Sequence, residues 1–129
     1  MMAAKAVLPI LLALQLAACG GGSSPSSPTP PPANNPNVIT ISTSGVVTPK
    51  ELTIQLGDRV LFVNDHSRRH DMASDDHPEH LECPPINQVG LLNPGQRRET
   101  ANFVTARTCG FHDHDSPDDN NLKGRIVIR

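Results

Sequence analysis

From Val38 onward, apolar and polar positions alternate with the short periods of β-strands. Ile39 and Ile41 alternate with Val38, Thr40 and Ser42, which predicts a first strand. Leu52, Ile54 and Leu56 alternate with Thr53 and Gln55, the period of a half-buried strand, and Gly57-Asp58 then signals a turn. Val60 to Val63 is a continuous apolar run with β-branched ends, suited to a strand buried on both faces. "NPGQ" at 93–96 marks another turn, residues 99–111 are Thr-rich and carry Phe103, Val104 and Phe111, and "GRIVIR" closes the chain as a β-branched strand. No segment sustains a helical period. Short strands divided by turn signals predict an all-β, antiparallel sandwich. One stretch breaks the pattern. "NDHSRRHDMASDDHPEHLEC", 64–83, is too polar for core and reads as a long loop with Met72 and Leu81 as its apolar anchors; loops of that length in compact domains are functional or disordered.

Ahead of the strands, Lys5 precedes an apolar run from Ala6 to Ala17, interrupted only by Pro9 and Gln15. The run is too short for a permanent membrane helix and reads as a secretory signal. It ends in "LAAC", Leu16 to Cys19, which resembles the lipobox of bacterial lipoproteins. The resemblance implies a lipidated Cys19 as the first mature residue. Gly20, rather than Asp, after it implies an outer-membrane anchor facing the periplasm. Residues 20–37, "GGGSSPSSPTPPPANNPN", hold no large apolar side chain that would offset the entropy of ordering. At roughly 3 Å per residue such a tether reaches about 50 Å. The expected organisation is a signal peptide at 1–18, a lipidated cysteine with a disordered Gly/Ser/Pro-rich linker at 19–37, and one folded domain at 38–129.

Composition narrows the domain further. Three Phe with no Tyr or Trp leave Val, Ile and Leu to build a modest core. Eleven Lys and Arg against thirteen Asp and Glu give no basic footprint for nucleic acid. Export changes the meaning of the cysteines. With Cys19 carrying lipid, Cys83 and Cys109 remain in an oxidising compartment, where one disulfide is the default. It would close a loop of about 25 residues, worth roughly 3–4 kcal/mol in the chain-entropy account.

The densest chemistry is "CGFHDHD" at 109–115. If 112–114 is extended, His112 and His114 point to one side and can share an ion, and neutral imidazoles suit Cu(II) and Zn(II). Asp113 and Asp115 are candidates for fixing their ring tautomers. His77 and His80 in "HPEH", flanked by Asp75, Asp76 and Glu79, read as a solvated loop, and His66 as a surface residue able to close a fourth position. Asp118 to Asn121 reads as a turn, and Arg68-Arg69 as a small docking patch. No nucleophile has a partnered base, which argues against hydrolysis.

Three stretches together resemble the cupredoxins, the small copper-binding Greek-key sandwiches of plastocyanin and azurin. They are "VTPKELTIQLGDRVLFVN" at 47–64, Asn64 followed by His70, and "NPGQ" followed by a strand, a ligand cluster and Leu122-Lys123-Gly124-Arg125-Ile126-Val127. The resemblance implies a Greek-key β-sandwich, a bound copper, His70 as the first histidine ligand, and electron transfer with a redox partner. It departs at the axial methionine, whose place Leu122 takes. It also fits in two registers. In one, Cys109 is the thiolate and the ligands are His70, Cys109 and His112. In the other, Phe111 supplies the aromatic, His112 stands at the cysteine position, the ligands are His70, His112 and His114, and Cys109 is left to pair with Cys83. The second is preferred for its spacing to Leu122; the first stays open. Either predicts a membrane-anchored, extracytoplasmic copper-binding protein, with zinc as another occupant, acting in electron transfer or in copper handling with a trafficking partner. A metal-free sandwich that binds another protein is the alternative. "GFHDH" is also similar to the strand motif of copper–zinc superoxide dismutase, but no histidine follows His114 to complete that enzyme's site.

Overall fold

A computed structural model describes residues 35–129; the expected signal, Cys19 and most of the linker lie outside the described residues. The described chain forms strands β1 (Val38–Ile41), β2 (Val47–Thr48), β3 (Glu51–Ile54), β4 (Leu61–Asn64), β5 (His70–Ser74), β6 (Gly90–Leu92), β7 (Arg97–Glu99), β8 (Arg107–Asp113) and β9 (Gly124–Ile128). Two short 3-10 turns, Pro84–Gln88 and Asn120–Leu122, interrupt them. One sheet runs β2-β1-β4-β7 and the other β3-β9-β8-β5-β6, so the all-β sandwich expected from the strand periods is the fold. It is not purely antiparallel, because β1 pairs with β4 in parallel and β3 with β9 in parallel. The chain passes to the second sheet at β3 and returns to the first at β4, which supplies the crossover that a parallel β1–β4 pair requires. Asn35 and Asn37, at the end of the expected linker, are tied to the domain through Glu99 and Asp58.

The core lies between the sheets. Ile39 and Ile41 of β1, Val60 and Phe62 at β4, Met72 of β5, Phe111 of β8 and Ile126 of β9 are wholly buried. Phe62 and Phe111 meet edge to face across the sheets, with centroids 5.2 Å apart; such a contact adds about 0.5–1.5 kcal/mol to the burial. Four large apolar residues are not core: Leu56, Leu81, Leu91 and Val104 are all exposed. Leu56 lies beyond the end of β3, at the sheet's margin, where its N–H still donates to the Arg129 carbonyl. Lys50 Nζ donates to the carbonyls of Asn120, Asn121 and Lys123, fastening that turn to the start of β3. Desolvation lowers its pKa below the usual lysine value, partly opposed by Asp119.

The polar stretch 64–83 is more than a loop. Its middle is β5, a strand between β8 and β6, with Met72 pointing into the core. Buried polar groups are tolerated there because each is hydrogen-bonded. Asn64 Nδ2 donates to the carbonyls of Arg68 and Leu92, and its Oδ1 accepts from His66 N–H, which shapes the turn into β5. Ser74 Oγ donates to the carbonyl of His80. β5 ends at Ser74, opposite Phe111, so β8 outruns it. Beyond that end Cys83 meets Cys109, and the two form a buried disulfide.

Candidate metal centre

Strand alternation divides the residues of β8 between two environments. Phe111 and Asp113 face inward with Met72 and His70 of β5, whereas His112 faces outward beside its partner Ala73. The segment from Asp75 to Glu82 folds back over that outer face and is clamped to Gly110. Asp75 N–H donates to the Gly110 carbonyl (3.1 Å), Glu82 N–H to the Asp75 carbonyl (2.8 Å), and Gly110 N–H to Glu82 Oε2 (2.9 Å). Gly110 is needed here because a Cβ at that position would overlap the Asp75 carboxylate. Cys83 then secures the end of the segment to β8 through the disulfide.

The fold of this segment brings His77 and His80 against His112 and His114. One ring nitrogen from each of the four lies within 4.8 Å of the others. His77 and His114 are exposed at the rim, His80 is half-buried, and His112 forms the floor at 2% exposure. Two of the rings are oriented from behind. His112 Nδ1 donates to Asp75 Oδ1 (2.6 Å) and His80 Nδ1 to the carbonyl of Ser74 (2.7 Å). A neutral imidazole that donates from Nδ1 keeps its lone pair on Nε2, so both rings present Nε2 as a ligand atom. His80 Nε2 sits 2.8 Å from His114 Nδ1. His112 Nε2 has no partner and is the one such buried side-chain atom among the described residues. An orphaned buried polar atom of this kind costs about 1–3 kcal/mol. Metal–imidazole bonds of about 2.0–2.1 Å place the nitrogens of a four-coordinate ion about 3–4 Å apart. The four rings therefore need only small inward shifts, and their donor set fits Cu(II) or Zn(II).

The trio His70, His112 and His114 expected from the sequence is not gathered at one point. His112 and His114 stand in the four-histidine cluster. His70 lies on the inner side of the sheet, where its Nδ1 donates to Asp113 Oδ2 (2.8 Å) and its Nε2 faces His66 Nδ1 (2.8 Å). Consecutive residues of a strand point to opposite faces, so the side chain that β8 offers His70 is Asp113 and not His112. Asp113, expected to support His112 and His114, is instead held by His70 and by the amides of Asp71 and Asp115. Asp115 is half-exposed beside Arg69 Nη2 (3.6 Å). The alternative set His70, Cys109 and His112 is not brought together either: Cys109 is bonded to Cys83, and His70 and His112 lie on opposite faces of the sheet. On the inner face beside His70, where a copper–thiolate centre would need sulfur, β8 presents Asp113, and Leu122 stands at the axial position. These line, with His66 and His70, a pocket of about 520 Å³ that does not fit a copper–thiolate centre.

His77 and His80, with Asp75 behind His112, are the members of this candidate site that the sequence reading did not single out. Their signal was the "HPEH" spacing in a segment that Cys83 closes onto the strand carrying His112.

No protein-family model and no curated protein matches the sequence. Solved structures do. A purple cupredoxin from Nitrosopumilus maritimus aligns with a TM-score of 0.55 and 22% identity, over 71% of this chain and 98% of its own. A copper(I) amicyanin variant aligns at 0.56 and 18%, over 77% and 87%. Oxidised plastocyanin from Dryopteris crassirhizoma aligns at 0.54 and 17%, over 71% and 99%. The described chain therefore has the cupredoxin fold, with a histidine cluster able to hold a metal ion on the outer face of its larger sheet.

Proposed function

We propose that this cupredoxin-fold chain is a lipid-anchored copper-binding protein of the bacterial cell envelope, and that it holds its ion through His77, His80, His112 and His114. The observation that carries the proposal is His112 Nε2, a buried ring nitrogen without a partner, facing a group of three further imidazoles. A bound ion satisfies that nitrogen. Copper is favoured because imidazole ligands suit it and because the amicyanin that shares the fold is described with copper. Copper handling is favoured over electron transfer, since the disulfide removes the thiolate of an electron-transfer centre. The anchor is supported by "LAAC" at Leu16–Cys19 and by the tether that follows, and Gly20 after Cys19 favours the outer membrane, facing the periplasm.

The test is titration of the purified full chain with Cu(II), followed by elemental analysis. One ion per chain is expected, lost on His112→Ala and on His114→Ala and retained on His70→Ala. An unloaded wild type, or retention of copper when all four histidines are alanine, refutes the proposal; the former returns the domain to a metal-free interaction module. For the anchor, Cys19→Ala is expected to move the chain from the membrane fraction to the soluble one, and an unchanged distribution refutes it.

A further inference from the structure

We infer that the four-histidine site selects a divalent ion, Cu(II) or Zn(II), against Cu(I). This rests on the histidine-site proposal and specifies its cargo. Three independent features of the site favour the higher charge.

The first is the donor set. Soft sulfur ligands favour Cu(I), whereas imidazole suits the divalent ions. Among the described residues, no sulfur ligand is within the site's reach. Met72, the one methionine of the described residues, is wholly buried on the inner face of the sheet, and Cys83 and Cys109 are bonded to each other. The second is the field. The covering segment carries Asp75, Asp76, Glu79 and Glu82 and no Lys or Arg; Lys50, Lys123 and Arg125 share a pocket with Asp75 and Glu82 and offset part of that charge, leaving Asp76 and Glu79 as the unopposed carboxylates of the segment. In one electrostatic potential a doubly charged ion gains twice what a singly charged ion gains. The third is orientation. Asp75 accepts from His112 Nδ1 and, as a carboxylate behind a ligating imidazole, raises that ring's basicity. The clamp on Gly110 and the disulfide hold the covering segment, so the four nitrogens come from two segments tied together.

The experiment compares affinities on the purified full chain. Cu(I) is titrated without oxygen against a chromophoric Cu(I) chelator, and Cu(II) and Zn(II) against divalent chelators, in wild type and in Asp75→Asn. Wild type is expected to bind both divalent ions one per chain and more tightly than Cu(I). Asp75→Asn keeps an acceptor for His112 Nδ1 but removes the charge. It is expected to lower the divalent affinities about 10–100-fold and the Cu(I) affinity by less. Each tenfold narrowing of the Cu(II) preference raises the copper midpoint potential by about 59 mV, a second readout on the same samples. Cu(I) bound as tightly as Cu(II), or an Asp75→Asn loss equal for both oxidation states, overturns the selectivity and leaves the histidine site standing. A wild type that binds neither divalent ion overturns the histidine site itself.

Discussion

Gly110→Ala tests whether the covering segment builds the metal site or merely lies near it. Gly110 does not occupy the left-handed region, so alanine meets no backbone penalty. Its Cβ, however, would overlap Asp75 Oδ2 and lie 2.8 Å from Cγ and 3.3 Å from Cβ of the same residue. Rotation of the Asp75 side chain relieves the first two contacts but not the third, so the backbone at Asp75 must also shift by a few tenths of an ångström. Either movement takes the carboxylate from His112 Nδ1, and a buried imidazole then has two orphaned nitrogens in place of one. The lost hydrogen bond costs about 1–3 kcal/mol. Replacing glycine at a compatible backbone position returns about 0.4–1 kcal/mol through the unfolded chain. The net loss of about 1–2 kcal/mol lowers the Tm of a domain this size by on the order of 10 °C. The effect on function is larger. Loss of the group behind a ligating histidine costs about 10–100-fold in metal affinity. Competition titration with Zn(II) measures the affinity, and thermal unfolding of the metal-free chain measures the stability. Gly124→Ala is the control. Its Cβ would press on the Phe111 ring at 2.5 Å and on the Lys50 carbonyl at 2.9 Å, inside the packed sandwich. Such overpacking costs about 1–3 kcal/mol, with the affinity of the folded form unchanged. Gly110→Ala binding Zn(II) as tightly as wild type, or both variants losing affinity only in proportion to stability, refutes the clamp as the device that orients His112.

Further outcomes follow from the same geometry. Removing the disulfide by Cys83→Ser with Cys109→Ser opens a loop of 26 residues' separation, which is expected to cost about 3–4 kcal/mol in denaturant unfolding and to speed metal release; an unchanged release rate rejects the disulfide as an anchor of the site. Loaded with Cu(II), the chain is expected to be pale, without the intense band of a copper–thiolate bond, and to show no free thiol at Cys83 or Cys109; deep blue or purple colour contradicts the histidine assignment. His70→Ala removes a donor from the buried Asp113 and is expected to cost about 1–3 kcal/mol of stability while metal stoichiometry stays at one per chain; loss of the ion would restore His70 to the ligand set.

The strands of the sandwich differed in how plainly the sequence announced them. Strands β1, β4 and β9 carry their burial on Ile, Val, Leu and Phe, and the pattern of apolar positions is the pattern of the fold. β5 carries much of its burial on His70 and Ser74. Their burial is stable because Asp113 and the carbonyl of His80 accept from them, and those partners are distant in sequence or fixed by a loop. Hydropathy registers the polarity and not the partner, so "HDMAS" reads as loop. The same limit hid His77 and His80. Their place depends on a chain reversal that the Gly110 clamp and the disulfide impose, and neither has a hydrophobic signature.

The choice of ligands on β8 was open to sequence reasoning, through parity. Phe111 is one of the chain's three phenylalanines and has a strong claim on the core. Once it points inward, so does Asp113, and His112 must point outward. Met72 settles β5 in the same way and turns His70 inward, away from His112. A site shared by His70 and His112 would require two residues of adjacent strands with opposite parity to meet on one face, which a regular ladder forbids. A family motif fixes the spacing of its ligands along the chain. It leaves open which face of the sheet each reaches, and here the inner face beside His70 receives the carboxylate of Asp113 while His112, at the cysteine position of the preferred register, goes to the other side. A metal held by His112 has to find its remaining ligands on that outer side, and the histidines that the fold supplies there are His77, His80 and His114.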